Sequence, residues 1–184
     1  MEPAGHLDRD ISGADRLDRD TRRGGNRQFN DQGTPLGRRR KRGAYDQAIG
    51  RSRGGRTTKI HALTDAVGRP RLLSITPGNL HDVMMAADLL SAAGSVTHLI
   101  ADKAYDTNKL RHLLTSQDIE AVIPSIARRK PLIPYNAAAY RQRNLIERMF
   151  CRLKDFRRIA TRYDKLARNF LAAIMLAATL TWWT

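Results

Sequence analysis

The stretch from Tyr140 to Lys154, YRQRNLIERMFCRLK, constrains the fold most, because wound as a helix it carries three different faces. At about 100° per residue, Tyr140, Arg143, Glu147 and Lys154 fall within an arc of about 60°, a polar stripe with one carboxylate in its middle. Leu145, Ile146, Met149, Phe150, Leu153 and Phe156 make a broad apolar arc suited to burial. Arg141, Arg148 and Arg152 make a third face, suited to solvent or a polyanion. Taken alone, charges on a helix of this kind are usually just solvated. Cys151 is the only cysteine and adjoins the apolar arc, so it is expected to pack and not to react. One cysteine allows no intrachain disulfide and no cysteine-based zinc site, and points to a reducing, cytoplasmic compartment.

Upstream, strand and helix signals alternate. Gly50-Arg-Ser-Arg-Gly-Gly55 is a basic, glycine-rich turn that lacks P-loop spacing. Thr57–Thr64 and Arg71–Thr76 read as strands joined by a short turn at Gly68-Arg-Pro70, hence an antiparallel hairpin. Asn79 is a plausible cap for a short helix that ends before Gly94. Val96–Ala101 is a short apolar strand that delivers Asp102 at its C-terminal end. Asp106 or Thr107 caps the next helix, and Ile119–Ile123 is a further strand stopped by Pro124. A basic, proline-containing loop over Ser125–Ala139 leads into the three-faced helix, and a buried helix runs from about Asp164 to the end. The sum is a mixed α/β layer fold.

Residues 1–42 differ. LDRD occurs at Leu7–Asp10 and again at Leu17–Asp20, large apolar residues are nearly absent, and Arg38–Arg42 reads RRRKR. Such a segment is expected to stay disordered, because it cannot bury enough surface to offset its chain entropy. The expected organisation is therefore a basic segment over 1–42 and one domain over 43–184. Lys+Arg is 33 against Asp+Glu 18, a net charge of +15, which favours an anionic partner, nucleic acid first. The longest apolar run, Phe170 to Trp183, is too short to span a membrane. The histidines lack zinc-ligand spacing.

Asp102 lies where an open α/β sheet places its site, past the C-terminal end of a strand, although a capping role is as common for such a residue. Paired with Glu147 it offers hard oxygen ligands suited to Mg²⁺. Two such ions can activate an attacking oxygen and stabilise a leaving one.

Tyr140, Arg143, Glu147 and Lys154 match the Y-x2-R-x3-E-x6-K signature of bacterial insertion-sequence transposases of the DDE type. Asp102-Lys-Ala-Tyr-Asp106 resembles their second-aspartate motif, and GRSRGGRTTKIHALTDAVGRP and ITPGNLHD resemble the segments before it. The insertion-sequence 5 family is the most similar group, over about Gly43 to Trp183. The resemblance implies an RNase H-like fold and Mg²⁺- or Mn²⁺-dependent strand cleavage at terminal inverted repeats, followed by attack of the freed 3′-hydroxyl on target DNA. Asp102 and Glu147 are then the second and third metal-binding acids. Tyr140, Arg143 and Lys154 orient Glu147 and grip the DNA backbone, with Arg51 and Arg53 as further DNA contacts. A homo-oligomer, or assembly with a full-length transposase, is implied as well.

The first acid of that pattern should end an apolar strand ahead of GRSRGG. No such strand is expected in residues 1–42, and Asp31 lies at a tolerable distance without one. The expectation is an RNase H-like domain that lacks its first, central strand, a truncated or frameshifted product impaired in cleavage. A non-catalytic, basic DNA-binding protein that regulates transposition is the alternative. A ribosomal or RNA-binding protein fits less well, because aromatic stacking residues are few.

Overall fold

The computed structural model describes residues 9–16, 43, 46–52 and 55–184, the first group through its backbone alone. Asp31, the Arg38–Arg42 cluster and Arg53 lie outside the described residues. The strands are β1 (Arg9–Arg16), β2 (Gly50–Ser52), β3 (Gly55–Asp65), β4 (Pro70–Pro77), β5 (His98–Ile100) and β6 (Glu120–Val122). The helices are α1 (Ala86–Ala93), α2 (Asn108–Ser116), α3 (Ala137–Tyr140), α4 (Asn144–Lys154), α5 (Arg157–Ala160) and α6 (Ala167–Trp182).

β3 pairs antiparallel with both β1 and β4, whereas β1, β5 and β6 pair in parallel. The main sheet therefore runs β4-β3-β1-β5-β6, and β2 pairs with the N-terminal end of β3. Its first strand lies between its second and fourth, and one strand alone is reversed. This is the RNase H-like arrangement.

The expectation of a missing central strand is corrected by β1. Arg9–Arg16 occupies the place between β3 and β5 within the segment expected to be disordered. The reason is tertiary. β3 is buried from Thr58 to Asp65, and its backbone groups on that edge need partners whatever the propensity of the strand that supplies them.

The β3–β4 turn shows why TDAVGRP has the residues it has. The Asp65 carboxylate is buried and accepts hydrogen bonds from the backbone N–H groups of Val67 (3.1 Å) and Arg69 (2.9 Å) and from Arg69 Nε (2.7 Å). Gly68 takes a left-handed φ of 84°, and a Cβ there would stand 3.3 Å from Cβ of Leu145. The turn is thus closed by its own aspartate and seated on α4. At the other end of the hairpin, a Cβ on Gly78 would overlap the hydroxyl of Thr57.

One core lies between the sheet and α1–α2, built on Leu63, Leu89, Leu90, Leu99, Tyr105, Leu110 and Leu114. The other lies between the sheet and α4–α6, built on Ile60, Ala62, Ile146, Met149, Phe150, Leu153, Phe170 and Ile174.

Local details depart from expectation. Thr107, not Asp106, caps α2, accepting from Leu110 N at 3.3 Å. Asn79 caps nothing; a 3-10 turn over Asp82–Met85 precedes α1, with His81 at its N-cap. α5 has no counterpart in the expected order, and Phe156 is exposed because α4 ends at Lys154. Cys151 is exposed as well, just off the buried arc. α6 buries Phe170, Ile174, Ala177 and Ala178, while Met175, Leu176 and Leu180 face outward. Among the described residues, no helix is long and apolar enough to cross a membrane.

Candidate active site

Asp102 leaves the C-terminal end of β5 and caps the 3-10 turn Lys103–Tyr105, its Oδ1 accepting from Ala104 N at 2.8 Å. The expected cap and the expected site residue are one side chain, half-buried at the sheet edge. Asp106, at the end of that turn, fixes it in place. It is fully buried and takes Arg111 Nε at 2.6 Å, Arg129 Nε at 2.7 Å and the backbone N–H of Ile126 at 2.8 Å. Arg111 also donates to the Ile123 carbonyl (2.8 Å), and Arg129 to Asn108 (2.8 Å). Burial alone would raise the Asp106 pKa. The bonds from Arg129, Ile126 and Arg111 outweigh it and hold the carboxyl below its usual range. This knot ties the basic loop after β6 to the segment that carries Asp102. Nothing in DKAYD marks Asp106 as its centre; a buried arginine five residues away and a half-buried one 23 residues away do.

The second half of the site comes from the other layer. The expected single helix is wound in three pieces: α3, a 3-10 turn over Arg141–Arg143, and α4. In a 3-10 turn residues i and i+3 eclipse, which sets the Arg143 guanidinium over the Tyr140 ring at 5.8 Å. Tyr135 meets that ring edge-on at 5.5 Å. Where α-winding resumes, the i,i+4 spacing brings Arg143 Nη2 to 2.5 Å from Glu147 Oε1. The Glu147 side chain is 56 % exposed. Lys154 lies on the same helix, roughly 10 Å further along its axis at 1.5 Å per residue.

Tyr140 responds to both acids. Burial raises the pKa of Tyr140, the Arg143 charge opposes that rise, and the negative charges of both Asp102 and Glu147 add to it. The phenol therefore stays neutral and able to donate a hydrogen bond. Arg51 is exposed on β2, opposite the equally exposed Arg56 of β3.

β1 adds a residue that motif reading missed. Its register sets Asp10 opposite Ile100 on β5 and opposite Thr64 on β3. Arg9 and Ile11 stand opposite Leu99 and Leu63, which belong to the α1–α2 core. By strand alternation position 10 is on the other face, the one α4 covers. Asp10 thus stands two residues short of Asp102 along the parallel register, on Glu147's side of the sheet. LDRDI holds no apolar alternation that would reveal this.

The oxygen donors suit a small divalent cation. Asp102 and Glu147 are hard, partly exposed carboxylates, with the exposed thiol of Cys151 one turn along α4 from Glu147. Among the residues whose side chains are described, which excludes those of β1, no group of three or more metal-ligating side chains gathers.

Known proteins place these features in a family. The transposase DDE domain family matches residues 30–182. A Brucella ovis protein named as a transposase for insertion sequence element IS6501 is 38 % identical over 127 residues, covering 68 % of this chain and 98 % of that protein. A Burkholderia cepacia protein named as a transposase for insertion sequence element IS402 is 29 % identical, and the match spans 63 % of its length. Among solved structures, the catalytic core domain of BIV integrase aligns with a TM-score of 0.44 at 20 % identity, over 71 % of this chain and 77 % of that one. A simian T-cell lymphotropic virus intasome structure, in complex with a PP2A regulatory subunit, aligns at 0.45 and 18 % identity, over 71 % of this chain and 44 % of that one.

Proposed function

Because the chain belongs to the transposase DDE domain family, we propose that it is a DNA transposase catalytic domain that cuts and joins phosphodiesters at the ends of an insertion sequence. The observation that supports this reading is the placement of Asp102 at the C-terminal end of β5 and of Glu147, paired with Arg143, on α4, the helix packed against the same sheet. Asp10, Asp102 and Glu147 supply the acids, and assignment to the insertion-sequence 5 group is part of the same reading.

Mg²⁺ or Mn²⁺ held by these carboxylates would supply charge neutralisation at the scissile phosphate and a more acidic attacking hydroxyl. The remaining roles belong to the protein. Arg143 holds the Glu147 carboxylate in one orientation and, stacked on Tyr140, restrains the phenol. Tyr140 donates to a phosphate oxygen. Lys154, Arg51 and Arg53 neutralise backbone phosphates on either side, and the net charge of +15 draws DNA in with a strong dependence on salt. The substrates are the terminal inverted repeats and target DNA. Strand transfer at two ends asks for a homo-oligomer or a mixed assembly with a longer transposase, working at the nucleoid.

Nicking of supercoiled plasmid with Mg²⁺ or Mn²⁺, compared with Glu147→Gln and Asp10→Asn, tests the reading. Metal-dependent nicking lost in both variants is the expected result. Nicking that survives Asp10→Asn removes β1 from the site. DNA binding without nicking under any metal replaces the enzyme with a regulator that occupies DNA.

A further inference from the structure

The flank of α4 that turns away from Glu147 carries a second concentration of charge. At about 100° per residue, Arg148 and Arg152 stand about 100–140° round the helix from Glu147, and both are exposed. Beside them an open cavity of about 140 Å³ is lined by Leu145 and Met149 of α4, Val67 and Gly68 of the β3–β4 turn, and Trp182 of α6. The Arg152 guanidinium stands over the Trp182 ring at 6.0 Å. One residue on, the exposed ring of Trp183 has Arg69 over it at 4.9 Å and Arg71 at 5.8 Å. The only two tryptophans of the chain thus meet four arginines in and beside one cavity. Arg69 is neutralised by Asp65 at 2.7 Å, and Glu147 is taken by Arg143. Among the described residues, Arg71, Arg148 and Arg152 have no carboxylate partner; Arg148 reaches the Asn144 side chain at 3.4 Å. A guanidinium laid over a ring uses its face and keeps its N–H edge free to donate to an anion.

We propose that this cavity and the Trp183 ring form a binding site for an unpaired DNA strand. One base sits in the cavity against Trp182, a neighbouring base stacks on Trp183, and the phosphates lie on Arg71, Arg148 and Arg152. Uncompensated cations beside exposed indoles suit a ligand that offers phosphates and free ring faces together. A duplex hides its base faces within the stack, whereas a single strand presents both groups. The site lies on the other flank of α4 from the acids and uses none of them. That the strand is DNA rests on the reading of the chain as a transposase domain; the grouping of rings and cations does not.

Because the chain has no other tryptophan, indole fluorescence reports on this site alone. The 184-residue protein is titrated with an oligo-dT of about twelve nucleotides in EDTA, so that cleavage plays no part. Saturable quenching is expected, with a duplex of the same length bound about tenfold more weakly and quenching little. Arg148→Ala with Arg152→Ala should weaken oligo-dT binding about tenfold or more at low salt and lower the slope of log affinity against log salt by about 1.4. Both arginines are exposed, so this double variant tests the surface and not the core. Trp183→Leu should weaken binding about fivefold or more, read from the signal of Trp182. The proposal is overturned if oligo-dT does not quench, if the duplex quenches equally at the same concentrations, or if the double variant leaves the affinity unchanged. Tighter binding of oligo-rU than of oligo-dT assigns the site to RNA and overturns the choice of DNA. Quenching by oligo-dT in a protein that nicks no plasmid under any metal keeps the strand site and removes the catalytic reading; nicking without quenching does the reverse.

Discussion

The two layers that sandwich the sheet keep their charges in opposite places. The α1–α2 layer buries them. Lys59 is 5 % exposed and reaches Asp82 Oδ1 and the Leu80 carbonyl, both at 2.5 Å. His61 meets the Thr76 hydroxyl at 2.6 Å, and Asp106 lies between two arginines. The α4–α6 layer carries Glu147, Arg148 and Arg152 on exposed positions, apart from the half-buried Arg162 over the Phe170 ring. Buried ion pairs hold geometry, because losing one partner strands the other in low dielectric. Exposed ones are adjustable. The proposed site takes Asp102 from the stiff layer and Glu147 from the soft one, so one carboxylate would be a fixed reference and the other could be drawn to a ligand.

Four experiments break or sharpen that contrast. The largest effect belongs to Asp106→Ala, which leaves the buried Arg111 and the half-buried Arg129 without their carboxylate and should cost about 3–5 kcal/mol in urea unfolding. A loss below about 1 kcal/mol would mean that the knot is not structural. Next comes acid. Burial pushes the His61 pKa down to about 4, the nearby Asp82 only partly opposing and Lys59 adding to the fall. The unfolded chain therefore binds the proton more readily. Stability from neutral His61 is complete above about pH 6.5 and falls toward pH 4 by about 1.4 kcal/mol per unit, roughly 3 kcal/mol in all. His61→Gln should flatten that slope; parallel pH profiles for the two proteins would assign it elsewhere. Gly78→Ala forces a methyl against Thr57 and should cost about 1–3 kcal/mol. The smallest effect is at the soft acid. Glu147→Gln breaks a pair whose Glu147 side chain is over half exposed and should shift the unfolding free energy by less than about 0.5 kcal/mol. A larger shift would make the α4 stripe structural after all.

These differences also explain what the chain discloses when read as letters. Periodicity found the β3–β4 hairpin, the strand before Asp102 and the apolar arc of α4, because each answers to spacing within a few residues. Tyr140, Arg143 and Glu147 were legible for the same reason, since i,i+3 and i,i+4 neighbours on one helix need no knowledge of the fold. The Asp106 knot was not legible, because Arg129 comes from a loop whose path depends on tertiary packing. β1 was least legible of all. Its residues oppose the strand state, and only the demand of two buried neighbours puts them there.

That central position has a consequence in time. β1 pairs with β3, made some 50 residues later, and with β5, made some 90 residues later. At about 5–20 residues per second on the ribosome, β3 exists for roughly 2–7 s before β5 is made, and the sheet cannot close in that interval. For those seconds one strand of every nascent chain, buried from Thr58 to Asp65 in the finished fold, depends on an N-terminal segment of weak pairing ability. In crowded polysomes the competitor nearest at hand is the same strand on the neighbouring ribosome.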